Sequence, residues 1–407
     1  MGSRRSIALA LSLATPLVVV FLIGYAALTA EEGRGSLPVA QGTSGGIFHP
    51  VAGPFEPDDT SLADCGAKYS CLQQAFGNIA YREGPKAAFS EIEATLATDR
   101  LVEIDCHRIV HFVGSAALAR FDQSVAKAFA SGSAVCAAGY YHGILERAFA
   151  GVQTKEELGE LARSLCVGTG IRRRGFLDYQ CRHGLGHGLM IQTGYDLPLA
   201  TSICTRLTTR WDEVACLGGV FMENATTRFG FRSSWLSDDD PLYPCARVSP
   251  RSRPSCYSRS SYRVLELNGG DFRQAAATCG ALERKSATAC FRGFGREVYG
   301  RERDEPANVV SLCRRARARQ GDCLYGAARA ASDSAGIAGV KRAAMLCARA
   351  RSGKSGCFAG AGAMIGLLYS NHRARNLACT EMAASYAKAC MRGAFAEIDP
   401  SADRAWG

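Results

Sequence analysis

Residues 340–368 read VKRAAMLCARARSGKSGCFAGAGAMIGLL. Val340 to Ala350 is rich in Ala and Arg, strong helix formers, and carries Met345 and Leu346. Arg351-Ser-Gly-Lys-Ser-Gly356 interrupts that helix, and Cys357 to Leu368 supplies a second, apolar one. Two helices joined by so short a loop form a hairpin. A bond between Cys347 and Cys357 would staple it shut, worth about 2–4 kcal/mol for a loop of roughly ten residues on the chain-entropy account.

The same spacing recurs on both sides of this hairpin. Of the 18 cysteines, most fall into close pairs: Cys65/Cys71, Cys166/Cys181, Cys204/Cys216, Cys245/Cys256, Cys279/Cys290, Cys313/Cys323, Cys347/Cys357 and Cys379/Cys390. Cys106 and Cys136 remain to pair across a longer segment. The last four pairs begin at 279, 313, 347 and 379, steps of 34, 34 and 32 residues, and a fixed period in this range signals an array of repeats. The second cysteine usually opens a Cys-x-x-Gly element, ending at Gly139, Gly184, Gly219, Gly293, Gly326, Gly360 and Gly393. That glycine is expected to let neighbouring helices approach closely. No Cys-x-x-Cys knuckle or Cys-x-x-Cys-His haem attachment occurs, so the cysteines read as disulfides of an oxidising compartment rather than metal sites.

Over residues 65–395 the chain resembles the α-hairpin arrays of tetratricopeptide and Sel1-type proteins, in period and in helix–loop–helix shape. It lacks the tetratricopeptide Trp/Leu-Gly/Tyr pattern. The resemblance implies a stacked superhelix and carries no activity with it. The expected fold class is therefore all-α: a superhelical array of disulfide-stapled helical hairpins behind an N-terminal transmembrane anchor. The array is expected over 64–407, with a histidine-rich section at 100–225 and plain repeats at 226–395.

Arg4-Arg5 precedes an uncharged apolar run from Ser6 to Ala30, closed by Glu31-Glu32. About 20 residues span a bilayer, whereas a signal-peptide core is about 7–15. Cleavage after Ala30 would place Leu28 where a small residue is preferred. Residues 1–30 are expected to be a signal anchor, with a removed signal peptide as the alternative. Arg4 and Arg5 hold the short end in the cytoplasm, leaving the domain extracytoplasmic: periplasmic, extracellular or lumenal. Residues 31–63, rich in Gly, Pro, Ser and Thr, read as a tether, although Ile47, Phe48 and Phe55 would suit an ordered arm. The net charge of +10 comes mostly from arginines such as Arg172-Arg173-Arg174, read as solvated helix faces. The expected partners are the membrane, through the anchor, and a protein or peptide in the superhelix groove. Nucleic acid is not expected on that side of a membrane.

Five of the seven histidines lie in Cys106-His107-Arg-Ile-Val-His111, Tyr141-His142-Gly-Ile-Leu-Glu146 and Cys181-Arg-His183-Gly-Leu-Gly-His187. Residues i and i+4 share a helix face, so His107/His111, His142/Glu146 and His183/His187 are three two-toothed clamps. His142 and His187 both stand six residues after the second cysteine of their units, which places them on neighbouring helices. Later units carry Met222-Glu223, Arg296-Glu297 and Ala363-Met364 at that slot, and Glu223 could add a carboxylate. The expected metal ligands are His107, His111, His142, His183 and His187, with Glu146 as ligand or general base. Imidazole and carboxylate suit iron, copper or zinc, and five histidines exceed one tetrahedral ion, so one or two metals are expected.

Several known motifs are absent. The zincin His-Glu-x-x-His pattern fails, since Arg108 and Gly184 follow the leading histidines. No Gly-rich phosphate loop occurs, and the His-Glu dipeptides of helical-repeat di-iron hydroxylases are absent. What remains is a membrane-anchored extracytoplasmic metal enzyme, an oxidoreductase/hydroxylase or a hydrolase. The alternatives are a protein-binding α-solenoid scaffold with structural histidines and a bis-histidine haem electron-transfer protein. Tyr140, Tyr141 and Tyr179 flank the site, while His49 and His372 read as surface residues. The Gly-Leu-Gly between His183 and His187 makes a poor helix, which implies a close backbone approach to another helix or a ligand. Asn224-Ala-Thr226 matches a glycosylation sequon, one that a eukaryotic cell would use.

Overall fold

The computed structural model describes residues 53–403, apart from Ala67, 168–170, 227–231, 303–304 and 334–335. Among them helix is the only extended regular structure. In chain order the helices are α1 (Tyr69–Arg82), α2 (Pro85–Thr95), α3 (Arg100–Arg120), α4 (Val125–Ala130), α5 (Gly139–Arg147), α6 (Lys155–Ser164), α7 (Phe176–Gln192), α8 (Leu197–Cys204), α9 (Arg210–Thr226), α10 (Arg253–Leu267), α11 (Phe272–Gly280), α12 (Arg284–Glu302), α13 (Pro306–Cys313), α14 (Gln320–Asp333), α15 (Gly336–Arg349), α16 (Lys354–Leu368), α17 (His372–Ala383) and α18 (Ala387–Ile398). The expected anchor at 1–30 and His49 lie outside the described residues. Among those described, no helix is long and apolar enough to cross a membrane.

Two kinds of helix alternate. α1, α3, α5, α7, α9, α10, α12, α14, α16 and α18 form an inner layer, each packed on the next. Helices α2, α4, α8, α11, α13, α15 and α17 pack on the inner helix that follows them. Sequence explains the division. α16 is apolar nearly all round and buries an almost continuous run from Cys357 to Leu367, whereas α17 buries only Cys379 and Ala383. Asp99 caps α3 and Asp271 caps α11 by accepting two backbone N–H groups each, so the turns between layers are set by local chemistry.

All nine expected cysteine pairs lie at disulfide distance, with Cα separations of 5.2–5.9 Å. Five of them tie an outer helix to the next inner one: Cys204–Cys216, Cys279–Cys290, Cys313–Cys323, Cys347–Cys357 and Cys379–Cys390. In the third, Cys313 ends α13 and Cys323 lies in the first turn of α14, with a 3-10 turn at Arg314–Arg319 between them.

The expectation that every pair staples a helical hairpin is corrected at the other four. Cys71 lies in α1 and Cys256 in α10, but their partners Cys65 and Cys245 lie in turns, not on outer helices. The reason is local. Asp58-Asp59-Thr60-Ser61 precedes Cys65, and Pro241 and Pro244 flank the approach to Cys245, so neither stretch can sustain a helix. Cys166 follows the end of α6 and bonds Cys181 in α7. Cys106 sits on inner helix α3, and its bond to Cys136 holds the turn that leads into α5.

The Cys-x-x-Gly glycines are contact points between inner helices. A Cβ built on Gly219, Gly293, Gly326, Gly360 or Gly393 would stand 1.7–2.1 Å from a carbonyl oxygen of the preceding inner helix, from His183, Ser258, Arg292, Tyr325 and Ala359 respectively. No side chain larger than hydrogen fits there without parting the helices. This close stacking curls the layer until α16 touches α7 and the turn Pro400–Ala402 touches α9. The Trp211 indole N–H then donates to the Glu397 carbonyl at 2.9 Å.

Residues 53–63, within the stretch read as a tether, run as an arm on the domain. Phe55 is buried over Gly77, the Arg147 guanidinium donates to the Gly53 carbonyl (2.8 Å), and Asp58 and Asn78 exchange hydrogen bonds of 2.8 and 3.1 Å.

Candidate metal centre

The three histidine segments stand on three consecutive inner helices. α3 carries His107 and His111, α5 carries His142 and Glu146, α7 carries His183 and His187, and α9 adds Glu223. Helical i, i+4 spacing turns each pair inward, with ring centroids 4.9 Å apart in α3 and 5.0 Å apart in α7. His142 stands between them, 5.3 and 5.4 Å from His107 and His111 and 5.1 and 4.9 Å from His183 and His187.

Ligand atoms of His107, His111 and His142 lie within 4.8 Å of one another; so do those of His142, His183 and His187, and those of Glu146, His187 and Glu223. Metal–imidazole bonds of about 2.0–2.1 Å place two donors of one ion up to ~4 Å apart, so small ring rotations would close either histidine triad on an ion. His142 and Glu146 do not form a clamp of their own. Glu146 Oε1 instead meets His111 Nδ1 at 2.6 Å, across the α3–α5 interface. The cysteines contribute no ligand. Cys71, Cys256 and Cys323, like all the others, are bonded in disulfides and leave no free thiol.

The hydrogen bonds fix how four of the rings are oriented. Nδ1 donates to the Cys136 carbonyl from His107 (2.8 Å), to the Glu146 carboxylate from His111 (2.6 Å), to the Ala215 carbonyl from His183 (3.3 Å) and to the Glu223 carboxylate from His187 (2.7 Å). Carbonyl and carboxylate oxygens only accept. Each Nδ1 therefore carries a proton, which leaves Nε2 as the nitrogen able to ligate. Donation of the second ring nitrogen to a carboxylate or carbonyl is how metal-bound histidines are held and made more basic. Three successive left-handed residues, Cys136, Ala137 and Ala138 (φ 56°, 55° and 62°), aim the Cys136 carbonyl at His107. Such strain is kept where something depends on it.

The cluster is largely buried. His111, His142, His183, His187, Glu146 and Glu223 are all buried, while His107 is half-buried. Burial, then the Arg259 charge, holds His183 well below the ordinary imidazole range, which keeps it neutral and able to ligate. Glu223 also accepts from the Tyr195 hydroxyl at 3.1 Å, and His142 Nε2 lies 3.2 Å from Gln180 Oε1. Sequence reading placed Glu223 at the edge of the site; nothing in the spacing pointed to Gln180 or Tyr195.

Other expectations sort clearly. Tyr140 is a packing residue, its buried hydroxyl donating to the Ala128 carbonyl at 2.8 Å. Tyr141 is buried too, which pushes its phenol up to about 12. Tyr179 stacks on His183, 5.6 Å between centroids and 12° between planes. The glycines beside His183 and His187 serve helix contact: a Cβ on Gly186 or Gly188 would meet the Cys216 or Leu145 carbonyl at 2.0 or 2.4 Å. Asn224 is buried, accepting from the Ser233 hydroxyl (2.6 Å) and donating to the Trp235 carbonyl (3.2 Å), so the sequon side chain is not presented for glycosylation. His372 opens α17 at the surface.

The chain matches no protein-family model, no curated protein and no solved structure, so its function is argued from the site itself.

Proposed function

We propose that this chain is an extracytoplasmic metalloenzyme, tethered to the membrane by residues 1–30, in which His107, His111, His142, His183 and His187 hold one or two ions of iron, copper or zinc. The observation that carries the reading is the orientation of the rings. Four of the five histidines give their Nδ1 proton to an oxygen, and the five gather into two triads that share His142. Histidines that only fill a core need one partner each, not this convergence. Glu146, buried beside both His111 and His187, serves as ligand or general base. A bound metal would supply activation of water or dioxygen. Haem is disfavoured because the rings meet at centroid distances of 4.9–5.4 Å, many of them edge to face, leaving no slot for a porphyrin. Nine disulfides suit an oxidising compartment.

Elemental analysis of the untagged protein, purified without chelator, tests this reading. One or two transition metals per chain are expected, and loss of metal in His183→Ala plus His187→Ala with helix content intact. A wild-type protein that neither contains nor takes up metal would leave the scaffold alternative, with structural histidines.

A further inference from the structure

Two units after α9 carry arginine at the inner-wall slots that hold histidine on α7. Counted from the second cysteine of each pair, positions +2 and +6 hold His183 and His187 on α7, Arg292 and Arg296 on α12, and Tyr325 and Arg329 on α14. On α10 the +3 slot, glycine in most units, is Arg259. Room for it comes from α9, where Gly218 replaces the larger +2 residue. A Cβ on Gly218 would lie 3.2 Å from His183 Nδ1 and 3.4 Å from Arg259 Nη2. Exchanging the two sizes across the α9–α10 contact brings a guanidinium beside the histidine cluster.

Arg259, Arg292, Arg296 and Arg329 line one open-mouthed cavity of about 150 Å³ with Tyr179 and Trp211. A cavity of about that volume can hold a molecule of benzene's size. The carboxylates around it are unevenly shared. Arg292 pairs with Asp403 (2.6 Å), Arg296 with Glu297 (2.7 Å), and Arg329 with both Glu397 (2.8 Å) and Asp333. Arg259 has no carboxylate within 4.0 Å among the described residues; its hydrogen-bond contact there is the Met222 thioether at 3.7 Å. Burial and the neighbouring Arg296 push it down to about 10, so it stays protonated at neutral pH. A half-buried cation with no carboxylate in contact is incompletely compensated, and an anion in the cavity would supply the missing contact. The guanidinium fork matches carboxylate and phosphate alike. Tyr179 joins this cavity to the histidines, stacked on His183 with the Arg329 guanidinium 5.4 Å from its ring centroid.

We propose that this cavity binds a small organic anion bearing a carboxylate or phosphate group, held by Arg259 with Arg296 beside it and presented toward His183. As an anion site it stands independently; as the substrate site it rests on the metal reading above.

Calorimetric titration of the full chain with inorganic phosphate, with succinate and with neutral succinamide tests the proposal. Wild-type protein should bind at least one of the two anions and not succinamide; the stronger of the two identifies the class. Arg259→Met should weaken that anion about tenfold or more, Arg296→Met should weaken it less, and Arg259→Lys should recover part of the loss, all with unchanged metal content and helix content. In cobalt-loaded protein the anion should shift the visible absorption of the metal. Absence of binding by either anion, or equal binding by Arg259→Met and Arg296→Met, would overturn the proposal and leave the metal reading untouched. Retained anion binding in His183→Ala plus His187→Ala supports a site independent of the metal. Anion binding without an effect on the cobalt spectrum would overturn its role as the substrate site.

Discussion

His107 Nε2 lies 3.2 Å from His111 Nε2, although both rings give their Nδ1 proton to an oxygen elsewhere. Two neutral imidazoles so arranged face each other through lone pairs, and only a shared proton or a shared cation makes that approach favourable. The α3–α5 interface therefore holds the rings in a geometry that a metal satisfies.

His142 belongs to both histidine triads, whereas His107 belongs to one. His142→Ala should therefore lower metal content more than His107→Ala does. Elemental analysis of the two purified variants checks this. Equal losses would mean that the triads do not act as separate sites.

Glu223 touches His187 through Nδ1, on the side away from Nε2. Glu223→Gln keeps the volume and an acceptor oxygen but removes the charge. Metal affinity should fall about 10–100-fold with secondary structure unchanged, measured by competition with a chromophoric chelator. An unaltered affinity would make Glu223 a packing residue.

The architecture was legible because cysteine spacing and Cys-x-x-Gly glycines report helix pairing directly, and every expected disulfide partner is in place. Spacing did not tell a helix from a turn ahead of the second cysteine, which is why Cys71 and Cys256 are tied to turns while Cys323 is tied to α13. The histidines were legible because i, i+4 spacing survives folding unchanged. Contacts across helices were not. That Glu146 serves His111 rather than His142, and that Gln180 faces His142, depends on helix rotation that no local pattern encodes. In the repeats that lack histidine, Arg296 and Arg329 occupy the histidine slot. The curl of the layer, which no local pattern encodes, brings α12 and α14 around to Tyr179.

The arm at residues 53–63 should respond to acid. Hydrogen bonds from Asn78 and then the Thr60 backbone hold the Asp58 carboxyl down to about 2, against an ordinary 3.8. A depressed carboxylate contributes stability that is complete above its unfolded value and lost as pH falls through the folded one. The arm should loosen between about pH 4 and pH 2, seen as faster exchange of the Thr60 amide. Asn78→Ala should return Asp58 toward its ordinary range in an NMR titration; an unmoved value would assign the shift to another cause.

Two glycines of the inner layer separate close packing from helix propensity. A Cβ on Gly326 would stand 1.7 Å from the Arg292 carbonyl, so Gly326→Ala must push α14 away from α12. Overpacking of this kind costs about 1–3 kcal/mol, and more where backbone must move. Gly300, near the end of α12, is exposed and has nothing within 4 Å of its would-be Cβ. There the substitution removes only chain entropy, and Gly300→Ala should stabilise by about 0.5–1 kcal/mol. Urea unfolding midpoints of the two variants should thus move in opposite directions. Because Arg292 and Tyr325 flank the Gly326 contact and both line the arginine cavity, Gly326→Ala should also weaken anion binding, whereas Gly300→Ala should leave it alone. A Gly326→Ala protein as stable as wild type would show that the inner helices are not held as tightly as their carbonyl contacts require.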